Sequence, residues 1–149
     1  EPLMLSEKNL EEYLSVIKNK IKIKNLKIGM QTNATLATIN KIKILNKYKV
    51  NIGVSVDGHE DANKYRVDLK GNPAHSRITK GIDLIKKNVK FFSGFLSVVN
   101  LNSEPEDVLN FLSKYNPYQI DLLPPFGNYN NLPIPLNTKY NFGEWMVRA

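Results

Sequence analysis

Cysteine is absent from this chain, which excludes a disulfide framework and any thiolate metal site within these residues. Apolar runs are strand-sized, and none approaches the roughly 18 residues that a membrane-spanning helix needs. The opening stretch EPLMLSEKNL has neither the basic start nor the apolar core of a secretory signal, so a cytoplasmic location and no membrane partner are expected. The glycine-rich patterns G-x-G-x-x-G and G-x-x-x-x-G-K-[ST] are missing, which removes the usual phosphate-cradling loops. Histidine occurs twice, as His59 and His75. The two lie apart and lack cysteine partners, which argues against a metal role.

What is present fits an ordinary globular chain. At 149 residues it can bury one domain's core, and its 42% hydrophobic and 23% charged content is typical. The net charge of +7 permits nucleic acid, anionic lipid or an acidic peptide as partner. The lysines, however, alternate with isoleucine in KNKIKIKNLK, NKIKILNKYK and KGIDLIKKNVK, the pattern of solvated helix faces. No basic motif is interleaved with aromatic residues, so no nucleic-acid partner is expected.

Helix and strand signals alternate along the chain. Ser6 precedes Leu10, Tyr13, Leu14, Ile17 and Ile21 at helical spacing. LKIGMQ (26–31) reads as a strand, and Thr38 or Asn40 can start a helix carrying Ile39, Ile42 and Leu45. VNIGVSV (50–56) is a strand stopped by Asp-Gly, and His75 or Ser76 opens a helix through Ile78, Ile82, Ile85 and Val89. FFSGFLSVV (91–99) is a strand. Ser103 and Glu106 have capping-box spacing around Pro105, for a helix through Val108, Leu109 and Leu112. YQIDLL (118–123) is the last strand, ended by two prolines. The alternation predicts an α/β fold with a parallel sheet over residues 1–123. Residues 124–149 are predicted to be an irregular Pro/Asn-rich segment leading to a helix near Glu144.

In such folds, chemistry collects at the carboxyl ends of the strands. Gln31, Asn33, Ser55, Asp57, Asn100 and Asn128 fall there, with Arg66 in a following loop. These groups suit a small polar ligand bearing a carboxylate; they form no triad, acid/base pair or metal cluster. Each also has a structural reading: Asp57-Gly58 as a turn, Asn33 as a cap, Arg66 as a solvated loop arginine.

Taken in order, EPL, QTNATL, VSVDG, a spaced YR and IDLLPP resemble the radical S-adenosylmethionine (radical SAM) family. The likeness is to its peptide-modifying, SPASM-type branch, whose pattern reads G-G-E-P-L, T-N-G-T-L, S-x-D-G and then an arginine. The resemblance covers nearly the whole chain. The closing DLLPPFGNYNNLP and YNFGEWMVRA resemble maturases that form cyclophane crosslinks in ribosomally made peptides. Gly143, Glu144 and Trp145 stand at the helix start that this motif requires. Sulfatase maturases, which oxidise a Cys or Ser to formylglycine, are the sister family.

The resemblance implies the C-terminal portion of a (β/α)6 barrel. It also implies S-adenosylmethionine and a [4Fe–4S] cluster as cofactors, and a precursor peptide or protein as substrate, attacked by a 5′-deoxyadenosyl radical. It assigns Glu1 to the methionine amino group, Ser55 and Arg66 to the carboxylate or ribose, Asn33 to a place beside the cofactor and Leu123 to the adenine. The cluster's C-x-x-x-C-x-x-C loop has no counterpart here, so the resemblance implies a fragment of a longer enzyme that is inactive by itself. Ala34 replaces the glycine of T-N-G, which argues against a left-handed backbone there. The alternative from another class is a non-catalytic α/β ligand-binding module.

Overall fold

Ser6 accepts a hydrogen bond from the Asn9 N–H at 3.2 Å and so opens α1 (Glu7–Lys20), satisfying one of the donors that a helix start leaves free. The structure is a computed structural model that describes residues 1–125, 127 and 138–149. Asn128 and most of the Pro/Asn-rich stretch therefore lie outside the described residues. A 3-10 turn (Pro2–Met4) precedes α1. There follow β1 (Ile28–Thr32), α2 (Ile39–Lys47), β2 (Val50–Ser55), α3 (His75–Asn88), β3 (Phe92–Val98), α4 (Pro105–Ser113), β4 (Gln119–Leu123) and α5 (Phe142–Arg148). This is the alternation that the periodicity predicts.

The four strands are parallel and lie in one sheet in the order β1-β2-β3-β4. Each crossover adds the next strand beside the last. A doubly wound sheet would instead reverse its order at a switch point. In β1 and β2 the register aligns Ile28 with Val50 and Thr32 with Val54, which brings the carboxyl ends of both strands level.

Two local expectations are corrected, on α1 and α4, and one open alternative is decided, at α2. On α1 the buried stripe is Leu10 and Leu14, whereas Tyr13 is 60% exposed and Ile21 stands at the C-cap. The stripe runs at i and i+4, and Tyr13 falls on its flank. Thr38, not Asn40, caps α2, accepting from the Lys41 N–H at 3.2 Å. Ser103 and Glu106 form no capping box: Glu104 is the N-cap of α4 and makes no side-chain cap. Pro105 removes one donor from that end, while Glu104 accepts from the Tyr140 hydroxyl and Glu106 from Arg148. The capping box forms at α5. The Glu144 N–H donates to Asn141 Oδ1 (2.8 Å) and the Asn141 N–H to Glu144 Oε2 (3.0 Å).

The chain forms two compact units, Glu1–Ser55 with Ser76–Gly94, and Val56–His75 with Phe95–Ala149. In the first, Leu3, Ile42, Leu45, Val50, Ile52, Val54, Ile78, Ile82 and Ile85 are buried, each stabilising the fold by about 1.5–3 kcal/mol. In the second, Phe95, Val108, Leu112 and Trp145 are buried, and the indole N–H of Trp145 donates to the Ser103 carbonyl at 2.9 Å. Among the described residues no helix is long and apolar enough to cross a membrane.

Candidate functional site

Two polar clusters stand at strand ends, one in each unit. In the first, the Glu1 carboxylate ties three segments together. Its Oε1 accepts from the Leu3 N–H (3.1 Å) and the Thr32 hydroxyl (2.6 Å), and its Oε2 accepts from the Asn33 N–H (2.8 Å). A carboxylate offers about four acceptor positions, so roughly one remains for a ligand. Thr32, buried at the end of β1, accepts in turn from the Ala34 N–H at 3.0 Å. Asn33 Oδ1 accepts from the Thr35 N–H (3.0 Å) and hydroxyl (2.7 Å), which makes it a cap of the loop and leaves its amide NH2 to point elsewhere.

Ala34 sits at φ +62°. Alanine in place of the glycine argues against a left-handed backbone, and the structure overturns this. The hydrogen bonds of Thr32 and Asn33 fix the turn, and the surroundings over-determine a conformation that costs an L-residue about 1–2 kcal/mol. The room for it comes from α3: a β-carbon on Gly81 would stand 2.1 Å from the Ala34 carbonyl oxygen. Ser55, at the end of β2, accepts from the Gln31 amide at 3.0 Å. That amide lies across Gly53, where a β-carbon would come within 2.1 Å of Gln31 Oε1.

In the second unit Arg66 meets Asp57 side-on. Its Nε donates to Oδ2 at 2.7 Å and its Nη2 to Oδ1 at 2.6 Å. The arginine is not a solvated loop residue: its side chain is 25% exposed and that of Asp57 10%. Asp57 also accepts from the Val98 N–H (2.9 Å), and its own N–H donates to Asn63 Oδ1 (3.0 Å). Asp57-Gly58 is thus more than a turn, although Gly58 does adopt φ +123°. Asn100 fastens the same loop by donating to the Ala62 carbonyl at 3.3 Å. Just past β3, the Val99 N–H donates to the carbonyl of Leu123 at 2.9 Å, which places the half-buried Leu123 one residue from the Asp57 contact.

Beside Asp57 lies a cavity of about 300 Å³ whose walls include Tyr65, Val98, Val99, Asn100 and Leu101. Apolar walls with a few convergent polar groups are what a small-molecule site presents. The structure thus joins Glu1 to Asn33 directly, and Arg66 to Leu123 through Asp57 and the adjacent residues Val98 and Val99. Ser55 has Gln31 as its partner. Sequence reasoning missed Thr32, Asn63 and Gly81. For Thr32 the available signal was a polar residue ending an apolar strand.

No family model matches the chain. Over 97 residues it is 30% identical to the serine-type anaerobic sulfatase-maturating enzyme of Bacteroides thetaiotaomicron, a stretch that is 64% of this chain and 23% of that enzyme. The structure of native anSMEcpe with bound AdoMet superposes with a TM-score of 0.67 and 27% identity, over 83% of this chain and 36% of that one. By sequence and by structure the chain is similar to anaerobic sulfatase-maturating enzymes. Native anSMEcpe with bound AdoMet and Kp18Cys peptide gives the same TM-score of 0.67 at 27% identity, over 83% of this chain and 37% of that one. The complex with Cp18Cys peptide reaches 0.73 over 88% of this chain and 39% of that one, and at 24% identity it speaks for the fold alone. The chain spans 23% of the length of the curated relative it matches.

Proposed function

We propose that these residues form the S-adenosylmethionine-binding part of a radical SAM enzyme that modifies a peptide or protein side chain by hydrogen abstraction. The observation that carries this is the likeness, at 27% identity over 83% of the chain, to a protein solved with AdoMet bound. S-adenosylmethionine, when bound, supplies one-electron chemistry at its sulfonium. A [4Fe–4S] cluster does not fit the residues present, because the 149 residues hold no cysteine.

The chain's own task is to bind and orient. Arg66 Nη1 makes no hydrogen bond among the described residues, while Asp57 holds the guanidinium plane through Nε and Nη2. A planar fork fixed on one edge offers its other edge to a carboxylate or to ribose hydroxyls. In the first unit Ser55 and the Asn33 amide offer hydrogen-bonding groups and Glu1 a remaining acceptor position for an ammonium; in the second, Leu123 offers an apolar flank for adenine. A peptide or protein substrate is supported by the bound peptides of the neighbouring structures.

Two products stand within this reading. Oxidation of a serine or cysteine to formylglycine is supported by the name of the curated relative. Cyclophane crosslinking is supported by the closing motif, in which Gly143, Glu144 and Trp145 occupy the start of α5. Serine oxidation and crosslinking both remove two hydrogens, but only the first leaves an aldehyde that a hydrazine label captures.

The test is equilibrium binding of S-adenosylmethionine to the protein as encoded by its gene. Arg66→Ala is expected to weaken it by about 1–3 kcal/mol, the scale of a lost charge-assisted hydrogen bond. Unchanged affinity in a folded variant removes Arg66 from the site, and no binding by the wild-type protein overturns the reading.

A further inference from the structure

The segment between β2 and α3 ends in a small antiparallel ribbon closed by an isolated bridge between Val67 and Pro73. The bonds that close it come from the flanking residues. The Asp68 N–H donates to the Asn72 carbonyl at 2.9 Å and the Ala74 N–H to the Arg66 carbonyl at 3.0 Å. Val67 and Pro73 are therefore a non-hydrogen-bonded pair, as a proline that lacks an N–H requires. The N–H and C=O of Val67 consequently face away from Pro73, along the open edge of the ribbon.

Side chains alternate with the period of a strand. Arg66 turns inward to Asp57, and Asp68 turns into the tip, where its Oδ1 accepts from the Lys70 and Asn72 N–H groups at 2.9 Å each. Tyr65, Val67 and Leu69 turn outward and are 68%, 51% and 108% exposed. Three large apolar side chains in a row on a braced ribbon are the mark of an interaction surface rather than scattered exposure. Tyr65 also walls the cavity beside Asp57, so the stripe is continuous with the candidate site. The exposed charges of the ribbon are Lys64 and Lys70, Lys64 lying 5.2 Å from the Tyr65 ring centre. Glu60 and Asp61 stand on the preceding turn.

We infer that this ribbon docks the substrate peptide as an added strand, an inference that rests on the peptide-substrate reading above. The peptide backbone pairs with the N–H and C=O of Val67. Its alternate apolar side chains lie beside Tyr65, Val67 and Leu69, and its acidic side chains face Lys64 and Lys70. Main-chain bonds then supply affinity and the stripe supplies preference, as in other cases of strand addition.

The probes are two synthetic extended peptides, one alternating valine with glutamate and one alternating valine with lysine, titrated into the ¹⁵N-labelled protein. The glutamate peptide is expected to shift the Val67 amide and to bind at least about tenfold more tightly than the lysine peptide. The double variant Val67→Thr/Leu69→Lys is expected to weaken the glutamate peptide about tenfold and to leave S-adenosylmethionine affinity unchanged. Equal affinity for both peptides, shifts that spare Val67, or an unaffected double variant each overturn the docking site. S-adenosylmethionine is titrated into the same samples. Cofactor binding without a Val67 shift sinks the ribbon alone, and a Val67 shift in a protein that binds no cofactor sinks the enzyme reading alone.

Discussion

The guanidinium of Arg66 and the carboxylate of Asp57 meet side-on, with Nε and Nη2 at 2.7 and 2.6 Å from the two oxygens, nine residues apart in sequence. Because Asp57 also accepts from the Val98 N–H, one carboxylate anchors a loop to a strand end. Asp57→Ala leaves that N–H and a largely buried guanidinium without a partner. Arg66 retains some solvent contact, so the cost is expected to be about 2–3 kcal/mol, below that of a fully buried pair. Urea denaturation measures it, and a loss under about 0.5 kcal/mol, the range of ordinary surface substitutions, contradicts the anchoring role.

Gly81 is required by a close approach. Its missing β-carbon would lie 2.1 Å from the backbone oxygen of Ala34, and backbone cannot swing aside as a long side chain can. Gly81→Ala is expected to destabilise by about 1–3 kcal/mol despite alanine's better helix propensity. A stabilised variant in thermal unfolding would show that α3 and the 33–35 loop stand further apart.

Trp145 is the only tryptophan and is fully buried, so its fluorescence reports the seating of α5. Trp145→Phe leaves the Ser103 carbonyl without its donor, at an expected cost of about 1–3 kcal/mol. Trp145→Ala is expected to cost about 3–5 kcal/mol. Wild-type emission should be blue-shifted and move red when α5 detaches. Red-shifted emission in the folded protein refutes the burial.

The first turn of α4 meets the last of α5 where Arg148 donates to Glu106 at 3.1 Å. The Glu106 carboxyl is held below its ordinary value, first by a backbone hydrogen bond at the helix start and then by Arg148. A depressed pKa means that the contribution is present above the ordinary value of 4.5 and is lost as pH falls through the lowered one. The pair is exposed, so the effect is small and weakens with salt. Protection factors of the α5 amides, which remove the intrinsic pH dependence of exchange, are expected to fall in wild type as pH drops below the ordinary value of 4.5 and to change less in Glu106→Gln. Equal profiles remove the pair from the docking of α5.

Much of the fold was legible because its signals are local. Ser6 and Thr38 stand before apolar-periodic runs, and Asp57-Gly58 and the paired prolines after Leu123 stop strands. The ordered strand-end residues carried the likeness to radical SAM enzymes. Capping was less legible. Ser103 and Glu106 have the right spacing, but their neighbourhood is set by Trp145 and Arg148, some forty residues away in sequence, and spacing cannot report such competition.

By itself, then, the sequence determined the alternation of helices and strands, the placing of polar residues at strand ends and the family likeness, since each follows from residues close together in the chain. Only the tertiary structure decided that Ala34 adopts a left-handed backbone, that Glu1 is largely engaged by Thr32 and Asn33, that Arg66 is clamped by Asp57, and that Tyr65, Val67 and Leu69 turn outward. Each depends on hydrogen bonds and steric exclusions between groups distant in sequence or set by a turn, whose energies exceed the local propensities they override.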